Sequence, residues 1–247
     1  MEKRVLVTGA TSAMGRAFVK ELAIKGHSLI LAGRSEAELE SVATDTRIRF
    51  GVQVEVCLYD ALAMDAAARL EEDLTRNSKL ALHGVVFCHG FMPDEVSAET
   101  DTELREATIR VNYISTVNLI EVFKPYLSVG EYCFFCTLTS VAGDRGRPSN
   151  ALYGSSKGAL SLYLSGFRSR VFEQGIRVVN VKPGFVDTRM TWGLPGLFAV
   201  ARPETVAVHA LQGVSRNHGV VYSPKFWRLI MLLIRVIPDI VFRRLKI

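Results

Sequence analysis

The amino-acid sequence predicts one α/β domain built on a doubly wound parallel sheet of about seven strands. Short apolar runs, each suited to a buried strand, alternate with longer amphipathic stretches along the chain. That alternation calls for parallel strands covered by helices on both faces. At 247 residues the chain is long enough for a substantial core without disulfides or metal, and no repeat, low-complexity segment or linker divides it.

The first strand and the turn after it form the most informative stretch of the amino-terminal half. The run 4–8 (RVLVT) reads as a buried strand, a glycine-containing turn follows, and an amphipathic helix continues to about Lys25. In such a unit, free backbone N–H groups and the helix dipole face one point, which suits a pyrophosphate. The residues expected to line this anion site are Gly9, Thr11, Ser12, Ala13, Met14 and Gly15.

The next three strands are predicted at 28–32, 52–58 and 82–88. They end at Gly33-Arg34-Ser35, at Tyr59-Asp60-Ala61 and at His89-Gly90. Helices follow the first two of them, the later one over 62–77. Because a doubly wound sheet binds its ligand at the carboxyl ends of the strands, these strand ends are candidate binding residues.

The second half of the chain continues the alternation. A polar loop over 93–100 precedes a long helix at 101–126 that contains Asn112, and a strand at 131–139 leads into Ser140. A helix over 150–174, a strand at 177–181, a helix at 203–216 and a strand at 219–222 complete the pattern. The sixth strand runs into the turn Pro183-Gly184.

Tyr153 and Lys157 stand four residues apart in the predicted helix 150–174. Residues at this spacing share a helix face, so the phenol and the ammonium point into one cleft. A tyrosine hydroxyl has a pKa of about 10 and donates poorly at neutral pH unless a positive charge stabilises its phenolate. Lys157 is placed to supply that charge, although the pair alone also fits two neighbours on a helix surface.

The four cysteines, Cys57, Cys88, Cys133 and Cys136, lie within apolar, strand-like runs. This placement favours reduced core thiols and a cytoplasmic protein. Cys133 and Cys136 stand three apart on a predicted strand, which puts their sulfurs on opposite faces, so we expect no metal site. We also expect no signal peptide, and no apolar run reaches the roughly eighteen residues of a membrane span.

The positive charge of the chain is concentrated in its last residues. The sequence pI is about 9.1, yet residues 225–247 hold six of the 30 basic side chains and one of the 25 acidic ones. The other 24 bases and 24 acids balance, so we expect no nucleic-acid partner. We therefore divide the chain into a body, residues 1–224, and a tail, residues 225–247.

With these motifs the sequence resembles the compact branch of the short-chain dehydrogenase/reductase superfamily over almost its whole length. Thr8-Gly9 with Ala13 and Gly15 matches the family's glycine motif, and thirteen residues separate Ser140 from Tyr153, as is usual in the family. The resemblance implies a Rossmann fold in which the body is the NAD(P)-binding catalytic domain. The catalytic set that it implies is Asn112, Ser140, Tyr153 and Lys157.

The mechanism implied by the resemblance is hydride transfer between a nicotinamide and a carbonyl or secondary alcohol. Tyr153 would exchange a proton with the reacting oxygen, and Ser140 would hydrogen-bond that oxygen. Lys157 would hold the ribose hydroxyls and lower the pKa of Tyr153. Asn112 would connect Lys157 to solvent through a water, with an asparagine that kinks or caps the helix as the alternative.

The end of the second strand decides the choice of cofactor. NAD-preferring folds place a carboxylate there, which would repel a 2′-phosphate. Here Arg34 and Ser35 supply a guanidinium and a hydroxyl, which favours NADP(H) over NAD(H), although Glu36 follows them. Asp60 with Ala61 resembles the family's adenine contact, or Asp60 caps the strand end. The family's loop that meets the nicotinamide is matched here by Pro183, Gly184, Val186 and Thr188.

One motif departs from the family. The Asn-Asn-Ala-Gly that usually follows the fourth strand reads Phe87-Cys88-His89-Gly90 here. We expect His89 and Gly90 to lie along the cofactor, with altered local hydrogen bonding and no loss of activity. A histidine at a strand end is more often a structural hydrogen-bonder than a catalytic group.

The loop 185–202 and the tail are the segments expected to determine the substrate. The loop's apolar residues, Met190, Trp192, Leu194, Leu197 and Phe198, favour a mobile lid over an apolar or elongated substrate, or packing residues. The tail from Phe226 to Ile247 joins Trp227, an apolar run and a basic terminus, which suits peripheral membrane contact. A helix packed on the body or at a subunit interface is the alternative.

The tail also loosely resembles reductases of polyprenyl-phosphate-linked keto-sugars, which implies a lipid-linked substrate. The superfamily resemblance implies a homodimer or homotetramer through the long helices. Two other functions use the same fold: a dinucleotide-binding regulator without turnover, and a sugar-nucleotide epimerase or dehydratase. The complete Asn-Ser-Tyr-Lys set argues against the first, and the lack of a larger carboxy-terminal substrate domain argues against the second.

Overall fold

A computed structural model describes residues 3–76, 79–128, 132–193 and 196–245. Within them lies one sheet with the strand order β3-β2-β1-β4-β5-β6-β7, in which every pair of neighbours is parallel. The strands are β1 Arg4–Thr8, β2 Ser28–Gly33, β3 Val54–Leu58, β4 Gly84–Phe87, β5 Cys133–Leu138, β6 Ile176–Pro183 and β7 Val220–Ser223. The predicted parallel sheet is confirmed.

Helices cover both faces of this sheet. They are α1 Ala13–Ile24, α2 Glu36–Phe50, α3 Ala66–Thr75, α4 Glu95–Thr100, α5 Thr102–Ile109, α6 Ser115–Phe123, α7 Ala151–Arg170, α8 Pro203–Ser215, α9 Trp227–Val236 and α10 Asp239–Phe242. Helices α1, α2 and α8 share one buried core with one face of the sheet, and α3, α6 and α7 share a second core with the other face. The doubly wound arrangement is therefore also confirmed.

The order of the strands reverses between β1 and β4. From β1 the chain builds outward to β2 and β3, then returns to the other side of β1 and continues through β4 to β7. A reversal of this kind opens a crevice at the carboxyl ends of the two central strands, where ligands bind in open α/β sheets. Most of the candidate site residues follow strand ends or lie in the first turns of helices, and Asn112 lies in a turn between two helices.

The helix predicted at 101–126 is not continuous, and this prediction was wrong in detail. The structure has α4 inside the predicted loop 93–100, then α5, a π turn over Arg110–Ile114, and α6. Side chains inside the turn compete for partners: the Ser115 hydroxyl donates to the carbonyl of Val111 at 2.7 Å, and Asn112 is drawn toward another loop. A widened turn of this kind is often found at functional sites.

Smaller differences concern the ends of elements. Strands β3 and β4 each begin two residues later than predicted, and α3 begins at Ala66 rather than at residue 62. The reason for the late start is a turn in which Asp60 accepts from the backbone N–H of Leu62 at 3.0 Å. The predicted end of that helix at Asn77 and the predicted start of the fifth strand at Glu131 lie outside the described residues.

The cysteines behave as core residues. None of the four cysteines, which all lie in the described ranges, forms a disulfide, and Cys88, Cys133 and Cys136 are buried. Cys136 belongs to one core cluster and its neighbour Phe135 to the other, so alternate residues of β5 face opposite sides of the sheet. The described ranges hold no group of three or more His, Cys, Asp or Glu side chains arranged to bind a metal.

The tail packs against the body. Trp227 and Met231 on α9 are 2% and 0% exposed and form a small core with Val141 of the body. The opposite face of α9 is exposed, and among the described helices none is long and apolar enough to cross a bilayer. Lys246 and Ile247 of the tail lie outside the described residues. The division of the chain after residue 224 stays a prediction.

Candidate active site

Tyr153 and Lys157 lie in the first two turns of α7, and both side chains are buried. The Lys157 ammonium donates a hydrogen bond to the carbonyl of Leu138 at 3.0 Å and lies 5.9 Å from the centroid of the Tyr153 ring. An ammonium has three N–H donors, and only the bond to Leu138 uses one of them within the described part of the chain. Two buried donors therefore face the cleft.

Burial dominates the electrostatics of this pair. Burial raises the pKa of Tyr153 to about 12, and the nearby Ser140 hydroxyl acts weakly in the opposite direction. Burial also lowers the pKa of Lys157 to about 8. Burial is thus the main cause of the raised pKa of Tyr153, because it disfavours the charged phenolate. The effect of Lys157 on the pKa of Tyr153 stays a prediction.

Ser140 follows β5 and faces Tyr153. Its hydroxyl accepts a hydrogen bond from the backbone N–H of Ala142 at 3.1 Å and so caps the short 3₁₀ turn Val141–Asp144. A hydroxyl that accepts from a backbone N–H keeps its own hydrogen available to donate. The turn thus fixes the Ser140 oxygen beside Tyr153, within hydrogen-bonding reach of the phenol oxygen.

Asn112 is fully buried in the π turn and acts as a clamp. Its amide oxygen accepts from the backbone N–H of Phe91 at 2.8 Å, and its amide nitrogen donates to the carbonyl of Phe91 at 2.7 Å. The same nitrogen donates to the hydroxyl of Ser156 at 3.0 Å. Both amide hydrogens are therefore in use, so the side chain ties the loop after β4 to α7, a role that differs from the helix cap given as the alternative for this residue. The proposed proton relay stays a prediction.

Ser156 is a site residue that the sequence analysis missed. Its hydroxyl donates to the carbonyl of Tyr153 at 2.7 Å and accepts from Asn112, and the side chain is fully buried between these two residues. A small polar residue directly before Lys157 was the signal available in the sequence. Ser156 fixes the relative positions of the π turn and the first turn of α7.

His89 has a structural role, because both nitrogens of its ring contact hydroxyl groups of neighbouring elements. Its Nδ1 atom lies 2.7 Å from the Thr8 hydroxyl, and its Nε2 atom lies 2.9 Å from the Ser115 hydroxyl and 3.1 Å from that of Thr116. Both ring nitrogens therefore have hydroxyl partners, and the Ser115 hydroxyl hydrogen goes to the carbonyl of Val111. Burial, with a smaller effect of Lys157, lowers the pKa of His89 to about 3. The ring is neutral and joins β1 to α6.

The turn after β1 forms a cradle that side chains would fill. A Cβ atom on Gly9 would lie 2.7 Å from the backbone nitrogen of His89, and one on Gly15 would lie 2.2 Å from the carbonyl oxygen of Gly9. Gly9 also has a φ of +65°, which favours glycine. Ser12 caps α1 by accepting from the N–H of Gly15 at 2.9 Å. The N–H groups of Ala13 and Met14 open the helix and have no intrahelical acceptor.

The other predicted dinucleotide contacts lie along the same edge. Arg34 is exposed and forms no ion pair within the described residues, whereas the Ser35 hydroxyl caps α2 by accepting from the N–H of Glu38 at 3.3 Å. Asp60 is exposed and uses one oxygen in its turn, and Ala61 is buried beside it. Arg34 is thus available to an anionic ligand, and the strand-end cap predicted as the alternative for Asp60 is present.

Gly90 lies beside Asn112 and Lys157. A Cβ atom there would be 3.4 Å from both the Asn112 amide oxygen and the Lys157 ammonium nitrogen. Its lack of a side chain keeps this space open. The orphan donors of Lys157 and the cradle around Gly9 therefore fit the ribose and pyrophosphate of a dinucleotide.

The loop after β6 is anchored at both ends. The backbone N–H of Ala201 donates to Phe185 and that of Asp187 donates to Ala201, both at 2.9 Å. Val186 is buried and Thr188 half-buried inside this pairing, while Trp192 is 88% exposed. Leu194 lies outside the described residues. The predicted lid therefore has fixed ends, and its exposed aromatic tip is not packing against the body.

Comparison with known proteins gives relatives along the whole chain. An uncharacterized oxidoreductase of Mycobacterium tuberculosis is 29% identical over 98% of this chain and 96% of its own length. A sulfoacetaldehyde reductase of Chromohalobacter salexigens is 31% identical over 76% of this chain and 74% of its own. A short-chain dehydrogenase of Sphingobium yanoikuyae, solved in complex with NADPH, superposes with a TM-score of 0.82 at 23% identity, covering 96% and 97% of the two chains.

The family model described as short chain dehydrogenase matches residues 3–195, which include the cradle after β1 and all four candidate catalytic residues. The matched range also contains the whole sheet except β7. The sequence motifs, the fold and this match agree. The chain belongs to the short-chain dehydrogenase/reductase superfamily and is an oxidoreductase of that family.

Proposed function

We propose that this protein is an NADP(H)-dependent reductase or dehydrogenase that interconverts a carbonyl and a secondary alcohol. The observation that carries the proposal is the arrangement of Tyr153, Lys157 and Ser140 at the carboxyl edge of the sheet, next to a cradle suited to a dinucleotide. A protein that only senses a dinucleotide needs no proton donor at this place.

The protonation states define what each residue does. A Tyr153 hydroxyl with a pKa of about 12 is protonated at neutral pH and holds the proton that a reduced carbonyl oxygen needs. The Ser140 hydroxyl would donate to that oxygen as its charge develops. The two free donors of Lys157 would hold ribose hydroxyls. When bound, the nicotinamide supplies or receives the hydride.

The preference for NADP(H) rests on the end of β2. Arg34 is exposed and unpaired within the described residues, and a guanidinium binds a phosphate through paired, charge-assisted hydrogen bonds. The NADPH bound by the Sphingobium protein of similar fold supports this choice. Glu36 and Glu38 lie in the first turn of α2, where carboxylates interact favourably with the positive end of the helix dipole. Neither of them stands at the position of Arg34.

The test is oxidation of NADPH across a panel of aldehydes, ketones and keto-sugars. Tyr153→Phe should lower kcat by about 100-fold or more, since proton donation contributes about 10²–10⁴-fold to such reactions. Tyr126→Phe is a matched control, because Tyr126 donates to Glu71 at the protein surface. A Tyr153→Phe enzyme as fast as the parent would show that the catalytic assignment is wrong. If the parent binds NADPH but does not oxidise it with any compound of the panel, the result would favour a dinucleotide-binding regulator.

We also propose that the protein works in the cytoplasm, peripheral to a membrane, on an apolar or lipid-linked substrate. The exposed face of the tail helices is apolar, and its members are Leu229, Leu232, Leu233, Val236, Ile240 and Val241. Arg228, Arg243 and Arg244 accompany this face in the sequence. An apolar face beside cationic side chains suits the interface of an anionic bilayer.

Membrane contact can be tested without disturbing the fold. Leu233→Ser changes a side chain that is 65% exposed, and Ile48→Ser on α2 changes one that is 79% exposed and far along the chain from the tail. Cosedimentation with vesicles of phosphatidylglycerol should weaken for Leu233→Ser together with Leu232→Ser, and not for Ile48→Ser. Equal binding of all these variants would remove the tail as the contact.

The long helices support a homodimer or homotetramer. A surface groove on α7 and the π turn is lined by Tyr113, Leu162, Tyr163, Phe167 and Arg170, and Leu162 is 76% exposed. An exposed leucine in an aromatic groove is typical of a surface that a second subunit covers. Leu162→Asp should shift the mass measured by light scattering toward the monomer, and an unchanged mass would exclude this interface.

A further inference from the structure

Helix α9 touches both of the segments that flank the proposed reaction centre. On one side its Met231 packs with Val141, the residue directly after Ser140. On the same side, one turn earlier, Trp227 packs with Phe185, directly after the Pro183-Gly184 turn, at a centroid distance of 5.6 Å. The two segments belong to different strands, β5 and β6. A single helix therefore contacts the turn that carries Ser140 and the loop expected to meet the nicotinamide.

Trp227 fits against Gly184 because that residue has no side chain. A Cβ atom on Gly184 would lie 1.8 Å from Nε1 of the Trp227 indole. The indole is 2% exposed, and Phe198 lies 5.3 Å from it, centroid to centroid. The indole of α9 thus packs directly on backbone atoms of the loop expected to meet the nicotinamide. A side chain at position 184 would clash with it.

Arg145 holds the other end of α9. Its guanidinium donates to the carbonyls of Ile234, Arg235 and Ile237 at 3.1, 3.2 and 2.6 Å. These carbonyls belong to the carboxyl end of the helix, where orphan acceptors and the negative end of the dipole favour a cation. The guanidinium also lies 4.0 Å from the centroid of the Phe242 ring. Arg145 stands five residues after Ser140, so the Ser140 turn is fastened to α9.

A buried ion pair joins the same two segments beneath α9. Asp144, the last residue of the Ser140 turn, pairs with Lys182, the residue before Pro183, and the two side chains are 3% and 11% exposed. The Tyr222 hydroxyl donates to the second oxygen of Asp144 at 2.7 Å. The Ser140 turn is therefore held from below by β6 and β7 and from above by the tail.

We propose that α9 is a brace that sets the position of Ser140, and that Arg145 is a positioning residue for the reaction. Arg145 touches no reacting atom; it acts by fixing the turn whose first residue is Ser140. The inference rests on the proposed function for its catalytic consequence. It assigns the tail a part in turnover that is separate from any contact with a membrane.

Arg145→Gln is the test, and Arg177→Gln is a closely matched control. Arg177 also donates to the carboxyl end of a helix, at the carbonyls of Val214 and Ser215, and lies 3.5 Å from the centroid of the Tyr132 ring. Both variants lose a guanidinium that caps one helix and stacks on one ring. Only Arg145 is connected to the Ser140 turn.

Two measurements separate positioning from stability. With NADPH and the best substrate of the panel, Arg145→Gln should lower kcat at least tenfold and leave the KM for NADPH within twofold, whereas Arg177→Gln should keep the parental kcat. In amide hydrogen exchange, Arg145→Gln should raise exchange over 140–147, and Arg177→Gln should raise it only near 213–216.

The exchange measurement does not depend on turnover. If exchange over 140–147 is the same in Arg145→Gln and the parent, the brace is refuted even if the enzyme reduces carbonyls. Equal loss of kcat in both variants would likewise refute it. If exchange responds as expected but the parent reduces nothing, the proposed function fails while the mechanical link of tail and turn stands.

Discussion

Asn112→Ala is the perturbation whose outcome follows most directly from the geometry. The substitution removes three hydrogen bonds from a fully buried amide: two to the backbone of Phe91 and one to Ser156. It leaves the N–H and carbonyl of Phe91 and the Ser156 hydroxyl to find other partners in the interior. The loop after β4 would then lose its connection to α7.

The size of the effect can be estimated bond by bond. A buried hydrogen bond contributes a net of about 0.5–1.5 kcal/mol, so the three together give about 2–4 kcal/mol. Asn180→Ala is the matched control, since Asn180 is also buried but accepts one side-chain hydrogen bond, from the Thr139 hydroxyl at 2.6 Å. The same change of volume should there cost about 1–2 kcal/mol less than at Asn112.

Urea unfolding followed by far-ultraviolet circular dichroism measures both variants. Asn112→Asp adds a sharper test, because it keeps the shape but turns a donor at 2.7 Å from the Phe91 carbonyl into an acceptor. Burial raises the pKa of such a carboxyl, so its deficit relative to the parent should shrink as the pH falls toward 4. Asn112→Ala no less stable than Asn180→Ala would refute the clamp.

Three further predictions concern other parts of the molecule. Arg34→Glu should lower kcat/KM for NADPH by about 10- to 100-fold, the value of a charged hydrogen bond of about 1.5–3 kcal/mol, and spare NADH; equal losses with both cofactors would contradict it. Gly184→Ala should cost about 1–3 kcal/mol and red-shift the fluorescence of Trp227, because its Cβ would lie 1.8 Å from the indole; an unchanged spectrum would contradict the fit. The contribution of His89 to the free energy of unfolding should be constant above about pH 6.5 and fall below it, because the folded His89, with its pKa of about 3, takes up fewer protons than the unfolded chain. His89→Gln should flatten that slope, and an unchanged slope would locate the effect elsewhere.

The sequence carried the fold because the information was local. Alternating apolar runs, the turn around Gly9 and the spacing of Ser140, Tyr153 and Lys157 each lie within a short stretch, so propensity and periodicity sufficed to place them. The structural role of His89 was also foreseen from its position at a strand end. Its partners on α6 were not, because they lie 26 and 27 residues away.

The features that sequence reasoning missed depend on contacts between distant segments. In the π turn, Asn112 hydrogen-bonds to Phe91, which lies 21 residues away in another loop. Helix propensity alone predicts an unbroken helix there. The raised pKa of Tyr153 depends on burial, which spacing to Lys157 does not report. The seat of Trp227 on Gly184 is likewise a product of tertiary packing.

The fastening of Arg145 to the end of α9 has a consequence for how the chain folds during synthesis. The two partners lie 89 to 92 residues apart, so translation must pass residue 237 before the contact can form. Until then Arg145 has no helix end to bind, and the surface at Gly184 that Trp227 covers stays exposed. Long-range contacts of this kind form late and leave such surfaces exposed to chaperones. On the proposed role of α9, the Ser140 turn reaches its final position only after all seven strands have been translated.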